Sequence, residues 1–299
     1  MRLRGCELYP MISMSIMTSL VLALFLSSTA FAFTLRMNAG IPTVAIFGCT
    51  GALGRECVYQ ALSSGFNVVG LARTPSKMNV PDRAVGGGAL LLDSRLTVIQ
   101  GDVTNAADVN KVFDTIGAGG NKCVGTIVAL GGKTKDVGPT MLTDGTTNIV
   151  KAMKSHDAGK RIAVVTSIGA GDSENQAPLV FKALMYTVMR SIFADKNAQE
   201  QLFLSANAIG HDLDWCIVRP GGLGIGPPTG VINVIDGQAG SIMRADVASF
   251  CLGAILDEGF KVTLCPFSFL PFSGFSLERL FIGCGLCRNP SQLRYITAF

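Results

Sequence analysis

Apolar positions along the chain fall into short, unbroken, β-branched runs separated by longer stretches of helical period. The runs are TVAIF (43–47), NVVGLA (67–72), LTVIQ (96–100), VGTIVAL (124–130), RIAVVTS (161–167) and DWCIVRP (214–220). A strand with one wet face alternates polar and apolar residues; continuous runs such as these belong to strands covered on both faces. Between them the period shifts to that of helices near 52–64, 105–116, 141–154 and 178–208, each long enough for a right-handed crossover. This order predicts an α/β fold, a doubly wound parallel sheet of Rossmann type, over residues 41–265.

The two ends read differently. Arg2 and Arg4 precede an apolar run from Ile16 to Leu26, followed by Ala30-Phe31-Ala32, which has the form of a signal-peptidase site. Residues 1–40 are therefore expected to be a targeting presequence, with an uncleaved anchor or a start at Met11, Met14 or Met17 as alternatives. From Pro266 the chain turns Phe-rich and keeps no period of 2 or 3.6, so residues 266–299 stand as an atypical tail. A hydrophobic lid, a membrane contact and a shifted reading frame are the alternatives for it. The Gly86-Gly87-Gly88 patch is expected to be a surface insertion before the third strand.

Composition narrows the function. With 299 residues, 48% hydrophobic, and a net charge of only +4, the body carries no basic run that would track a phosphate backbone, so nucleic acid is not an expected partner. A membrane is expected to matter only through the N-terminal segment. Cys49, Cys57, Cys123, Cys216 and Cys251 are scattered within apolar stretches and read as reduced, buried hydrophobes. Cys284 and Cys287 form a C-x-x-C without a second pair, and no metal site is expected.

The first strand runs into VAIFGCTGALGRECV, where Gly48, Gly51 and Gly54 sit at three-residue spacing before a helix. Glycine there permits a tight turn, close approach of the main chain to a pyrophosphate, and packing of the helix on the strand. A ligand-free turn is the plain alternative; the strand before and the helix after favour a dinucleotide. The second strand ends in Arg73, where an NAD site usually carries an acidic residue for the ribose 2′-hydroxyl. A guanidinium suits a 2′-phosphate, so NADP(H) is expected over NAD(H), with Lys77 either adding charge or lying on the surface.

These glycines, with Ala72-Arg73, Gly101-Asp102-Val103, Thr166 to Gly171, Asp195-Lys196 with Glu200, Val218 to Leu223 and Arg244 to Ala248, resemble the atypical short-chain dehydrogenase/reductases of the NAD(P)H-binding type. That group takes in biliverdin/flavin reductase-like, NmrA-like and plastid proteins, and the likeness spans about residues 43–258. The resemblance implies that Gly48, Thr50, Gly51, Ala52, Leu53 and Gly54 cradle the phosphates and that Asp102 and Val103 meet the adenine. It further implies that Ala129, Leu130 and Gly131 line the nucleotide ribose and that Pro220 and Gly221 lie beside the nicotinamide. Plainer roles are open: Asp102 capping the next helix, and Pro220-Gly221 simply turning the chain. Ser28 to Phe33 likewise resembles the Ala-Phe-Ala-Pro junction of bipartite plastid presequences, with Phe33 in place of proline. A plastid destination is expected, with secretion as the alternative.

The Tyr-x-x-x-Lys pair of better-known superfamily members is absent. Tyr186, four residues before Arg190, is either a proton donor or a packing residue. Ser167, at the carboxyl end of the fifth strand, is a candidate for orienting a carbonyl or the nicotinamide. Lys196 and Glu200 are four apart on a helix, which alone reads as a surface ion pair; the resemblance makes Lys196 a contact for the nicotinamide ribose. His156 and His211 lie in polar, loop-like settings and receive no role. The expectation is an NADPH-dependent reductase passing hydride to a small aromatic or conjugated acceptor, flavin- or tetrapyrrole-like. A non-catalytic redox-sensing scaffold is the alternative, and a nucleotide-sugar epimerase or dehydratase a more distant one.

Overall fold

The computed structural model describes residues 42–81, 93–131, 138–235, 240–256 and 295–297. The expected presequence, the Gly86–Gly88 patch, the C-x-x-C and most of the tail lie outside the described residues.

Six strands, β1 (Thr43–Phe47), β2 (Asn67–Ala72), β3 (Leu96–Gln100), β4 (Cys123–Val128), β5 (Arg161–Val165) and β6 (Asp214–Val218), form one parallel sheet in the order β3-β2-β1-β4-β5-β6. The order reverses between β1 and β4, so the connections leave β1 on opposite sides and open a crevice at the carboxyl ends there.

Successive side chains of β1 show why the run is apolar throughout. Val44 and Ile46 enter one core with Cys57, Val58 and Ala61 of α1 (Ala52–Ser63) and Cys251 and Ile255 of α6 (Arg244–Leu256). Ala45 and Phe47 enter the opposite core. There they join Val109 and Phe113 of α2 (Ala106–Ala118), Ile149 and Met153 of α3 (Met141–Ser155) and Phe203 of α5 (Arg190–Leu204). Each face of the sheet thus removes its own apolar surface from water, at about 25 cal/mol per Å². Among the described residues, Cys49, Cys57, Cys123, Cys216 and Cys251 are free and buried; burial pushes the Cys49 thiol up to about 12, which makes it a packing group rather than a nucleophile.

The sequence expectation of one helix over 178–208 needs correction. The segment divides into α4 (Leu179–Tyr186) and α5, with Thr187 between them at φ −107, ψ −91. The Thr187 hydroxyl donates to Ala183 O at 2.8 Å, a local bond that competes with the helical ladder. The expected strands also stop two residues early, at Val128, Val165 and Val218. The residues that follow peel away from the sheet and become the walls of the crevice.

Two small ribbons flank the sheet: β7 (Gly222–Gly224) parallel to β9 (Ser241–Met243), and β8 (Asn233–Ile235) antiparallel to β10 (Tyr295–Thr297). The second brings part of the tail back onto the body.

Candidate functional site

Gly48 leaves β1 at φ +82, and a Cβ there would stand 2.4 Å from Ala129 O. A Cβ on Gly54 would stand 2.1 Å from Gly48 O. Only glycine allows this contact between strand, turn and helix. Gly51 differs: its φ is −69, its amide donates to Gly48 O at 3.0 Å, and it is the exposed N-cap of α1. The helix opens without a side-chain cap and with no acidic residue in its first turn. Ala52, Leu53 and Gly54 form that turn, so its N–H groups and positive dipole end meet the crevice without a protein anion beside them.

The crevice holds a cavity of about 180 Å³. Phe47, Gly48, Thr50 and Gly51 form one wall; Leu71, Ala72 and Arg73 come from the end of β2, Gly101, Asp102 and Val103 from the end of β3. Ala129, Leu130 and Gly131 after β4 and Met141 at the start of α3 complete it. The structure therefore brings Gly48, Thr50, Gly51, Arg73, Asp102, Val103, Ala129, Leu130 and Gly131 together around one space. Lys77 lies exposed in a short 3-10 turn outside the cavity lining.

Asp102 does not cap the following helix; Asn105 does, accepting from Ala107 N at 3.0 Å. Asp102 Oδ1 instead accepts from Thr104 N at 2.9 Å and Thr104 Oγ1 at 2.7 Å. These bonds, with the nearby Arg73 guanidinium, hold its carboxyl below the usual carboxylate range. The loop is fixed from behind, because Asn148 of α3 donates to Val103 O at 3.1 Å and Thr104 O at 3.0 Å.

The other end of the crevice surrounds Ser167. Past the regular strands, Thr166 N donates to Val218 O at 2.8 Å and Ile168 N to Pro220 O at 3.0 Å, which sets Ser167 beside Pro220-Gly221. The Ser167 hydroxyl donates to Ile168 O at 3.0 Å. Pro220 and Gly221 stand with Ser167 rather than in the lining of the β1–β3 cavity.

The expected surface pair of Lys196 and Glu200 is not formed. Lys196 Nζ donates to Thr166 O at 2.9 Å, and burial pushes its pKa down to about 8 against the pull of Glu200 and Asp195. Glu200 is wholly buried; it accepts from Thr166 Oγ1 at 2.7 Å, from Arg219 Nε at 2.9 Å, and from Arg219 Nη2. Arg219, itself buried, also donates to Asp172 at 2.6 Å. Arg219 and Asp172 were not singled out as site residues; the available signal was a guanidinium ending an otherwise apolar strand run.

Tyr186, at the end of α4, is exposed and donates to the Glu174 carboxylate, which raises the phenol pKa. A phenol activated for proton transfer needs the opposite shift. The Gly221–Gly230 loop, rich in glycine and proline, is tied at both ends. Gly222 pairs with Ser241 in the β7–β9 ribbon, and the buried Asp246 accepts from Thr229 N at 2.9 Å and Gly230 N at 3.0 Å.

Residues 48–258 match the sequence profile of the NAD(P)H-binding family, more than half of the chain. The chain belongs to that family. A reductase, pytE, of Aspergillus terreus is 26% identical over 206 residues, which cover 62% of this chain and 76% of that protein. An uncharacterized chloroplastic protein of Arabidopsis thaliana is 29% identical over 231 residues, 73% of this chain and 74% of the relative. Among solved structures, the anaerobilin reductase ChuY of Escherichia coli O157:H7 superposes with a TM-score of 0.52 at 23% identity, covering 71% of this chain and 89% of its own. Yeast Gre2, a methylglyoxal/isovaleraldehyde reductase complexed with NADPH, superposes with a TM-score of 0.54 at 16% identity, covering 73% and 75%. The two structures share the fold. The crevice fits the family's cofactor: Gly48 and Gly54 leave no room for a side chain, Gly51 keeps the mouth of α1 open, and the end of β2 presents a cation.

Proposed function

We propose that the protein is an NADPH-dependent reductase of a small aromatic or conjugated acceptor, of the flavin or tetrapyrrole type. The observation that carries this reading is the pairing of a glycine-built phosphate cradle at α1 with Arg73, a guanidinium where NAD sites hold a carboxylate. Gly48, Thr50, Gly51 and the first turn of α1 (Ala52, Leu53, Gly54) would hold the pyrophosphate, and Arg73 the 2′-phosphate. Asp102 and Val103 would meet the adenine, and Ala129 to Gly131 the ribose.

NADPH, when bound, supplies the hydride; the protein's task is alignment and exclusion of water. Ser167 and Pro220-Gly221 would flank the nicotinamide, and the Lys196 ammonium would hold the ribose next to it. A conjugated acceptor suits this site because such a molecule takes its proton from water and does not require an activated tyrosine. The reductase names of pytE and ChuY agree with this chemistry for the relatives themselves. The chloroplastic relative supports a plastid destination for this chain, for which a signal peptide and a short transit peptide are our proposed route.

A second reading, a scaffold that senses NADP(H) redox state without turnover, is favoured by one observation: the phenol of Tyr186 is committed to Glu174. Oxidation of NADPH, followed at 340 nm with FMN and with a linear tetrapyrrole as acceptors, separates the two. Turnover with either acceptor supports the reductase. Tight NADPH binding with both acceptors inert transfers the case to the scaffold.

A further inference from the structure

Lys196 and Glu200 both meet Thr166, and together they do something that neither cofactor binding nor packing requires. The Thr166 main-chain oxygen accepts from Lys196 Nζ at 2.9 Å, and its hydroxyl donates to Glu200 Oε1 at 2.7 Å, from residues one turn apart on α5. Glu200 is held in turn by two nitrogens of Arg219, which sits at the end of β6 immediately before Pro220. The loop leaving Ser167 is moulded on the same pair. Gly171, at φ +58, has no space for a side chain, since a Cβ would stand 2.6 Å from Arg219 Nη2 and 2.7 Å from Glu200 Oε2.

A buried ion pair contributes little net stability compared with apolar packing of the same volume, because both charges give up their hydration. What it contributes here is direction. Three segments, the ends of β5 and β6 and the loop at 169–171, converge on one carboxylate, and two of them carry Ser167 and Pro220. We infer that Glu200, clamped by Arg219, is a positioning residue that fixes Thr166 and thereby sets the Lys196 amine and Ser167 at the reacting end of the crevice. The inference rests on the reductase reading for its kinetic consequences but not for its geometry.

Among the described residues, the charges that act on the amine are Glu200 and Asp195 of α5, with Arg219 and Asp172 beyond Glu200, and the Thr166 carbonyl just past β5 is its hydrogen-bond acceptor. Asp195 is occupied at the start of α3, where it accepts from Leu142 N at 2.8 Å and Thr143 N at 3.0 Å. Glu200 is therefore the carboxylate whose neutralisation is felt at Thr166 and Arg219 and not at the start of α3.

The test compares E200Q and T166V with the wild-type protein, using two readouts. The first is the NMR titration of lysine Cε carbons, with Lys196 assigned from the K196R variant and no cofactor present. The wild-type amine is expected to titrate near 8, and E200Q is expected to move that midpoint to lower pH, because the carboxylate that favours the charged amine is gone. The second is steady-state kinetics. Both variants are expected to lose on the order of tenfold to a hundredfold in kcat while the KM for NADPH stays within about threefold. A folded E200Q whose Lys196 midpoint and kcat match wild type overturns the inference and leaves the pair a purely structural feature. If E200Q does not fold, T166V decides: it keeps the ion pair and loses only the hydroxyl, and wild-type kcat in T166V overturns the inference equally. Should the wild-type protein turn over no acceptor, the reductase reading fails, and the lysine titration still decides the positioning claim.

Discussion

Around Gly48 the site is made of main chain. Strand, turn and helix pack so closely that side chains are excluded between them, and the rest of the lining is mostly apolar, with Arg73 and Asp102 as its charged residues. Around Thr166 the site is made of charged side chains: a buried carboxylate, a buried guanidinium and a lysine whose pKa burial has lowered. The first arrangement suits a ligand whose shape and charge are fixed. The second holds loop ends and an amine in one relation, which is what an oriented reacting group needs. Substitutions at the two ends should therefore fail in different ways.

The largest expected effect is on stability at the charged end. Arg219→Met leaves the Glu200 carboxylate buried without its partner and is expected to cost about 3–5 kcal/mol, measured by urea denaturation. A loss below about 1 kcal/mol would mean that water reaches the carboxylate. At the main-chain end, Gly51→Val has a permitted φ and one close contact, 3.2 Å to Gly48 O, so the fold should survive. Its side chain enters the phosphate cradle, and NADPH and NADH should both bind at least about a hundredfold more weakly by calorimetry.

Arg73→Ala is expected to weaken NADPH about tenfold while leaving NADH nearly unchanged. Equal losses for the two nucleotides would remove the 2′-phosphate assignment. A pH series sharpens the contrast between the ends. The ammonium of Lys196 is lost as pH rises through about 8, so turnover should decline on that limb. The unfolded amine keeps its proton up to its ordinary value of 10.5, so between 8 and 10.5 the unfolded chain binds more protons and this group makes the fold more stable as pH rises. Activity and this contribution to stability thus move in opposite directions over one window, and in Lys196→Met both trends should disappear. The smallest effect is expected from Tyr186→Phe, less than about twofold in kcat, because the phenol is exposed and bound to Glu174.

The main-chain end was legible in the sequence for a simple reason. Glycines forced by close approach appear as glycines, and strands covered on both faces appear as unbroken apolar runs, so Gly48, Gly54, Arg73 and the six parallel strands could be read directly. The charged end was not, because Lys196 and Glu200 at i, i+4 look the same whether their helix face meets water or the sheet. Tertiary packing turned that face inward and paired Glu200 with a residue nineteen positions away. Asp102 shows the same limit on a smaller scale. Helix cap and turn former are both open to an aspartate in that setting, and Asn105 three residues on took the cap. The break at Thr187, where ψ is −91, falls within a stretch whose hydrophobic period does not register it.

The most direct test of the central claim is a calorimetric titration of NADPH into the purified wild-type protein, with NADH as the paired ligand. The account predicts one site, binding NADPH at least about tenfold more tightly than NADH. Equal affinity for the two, or no binding of either, would contradict it.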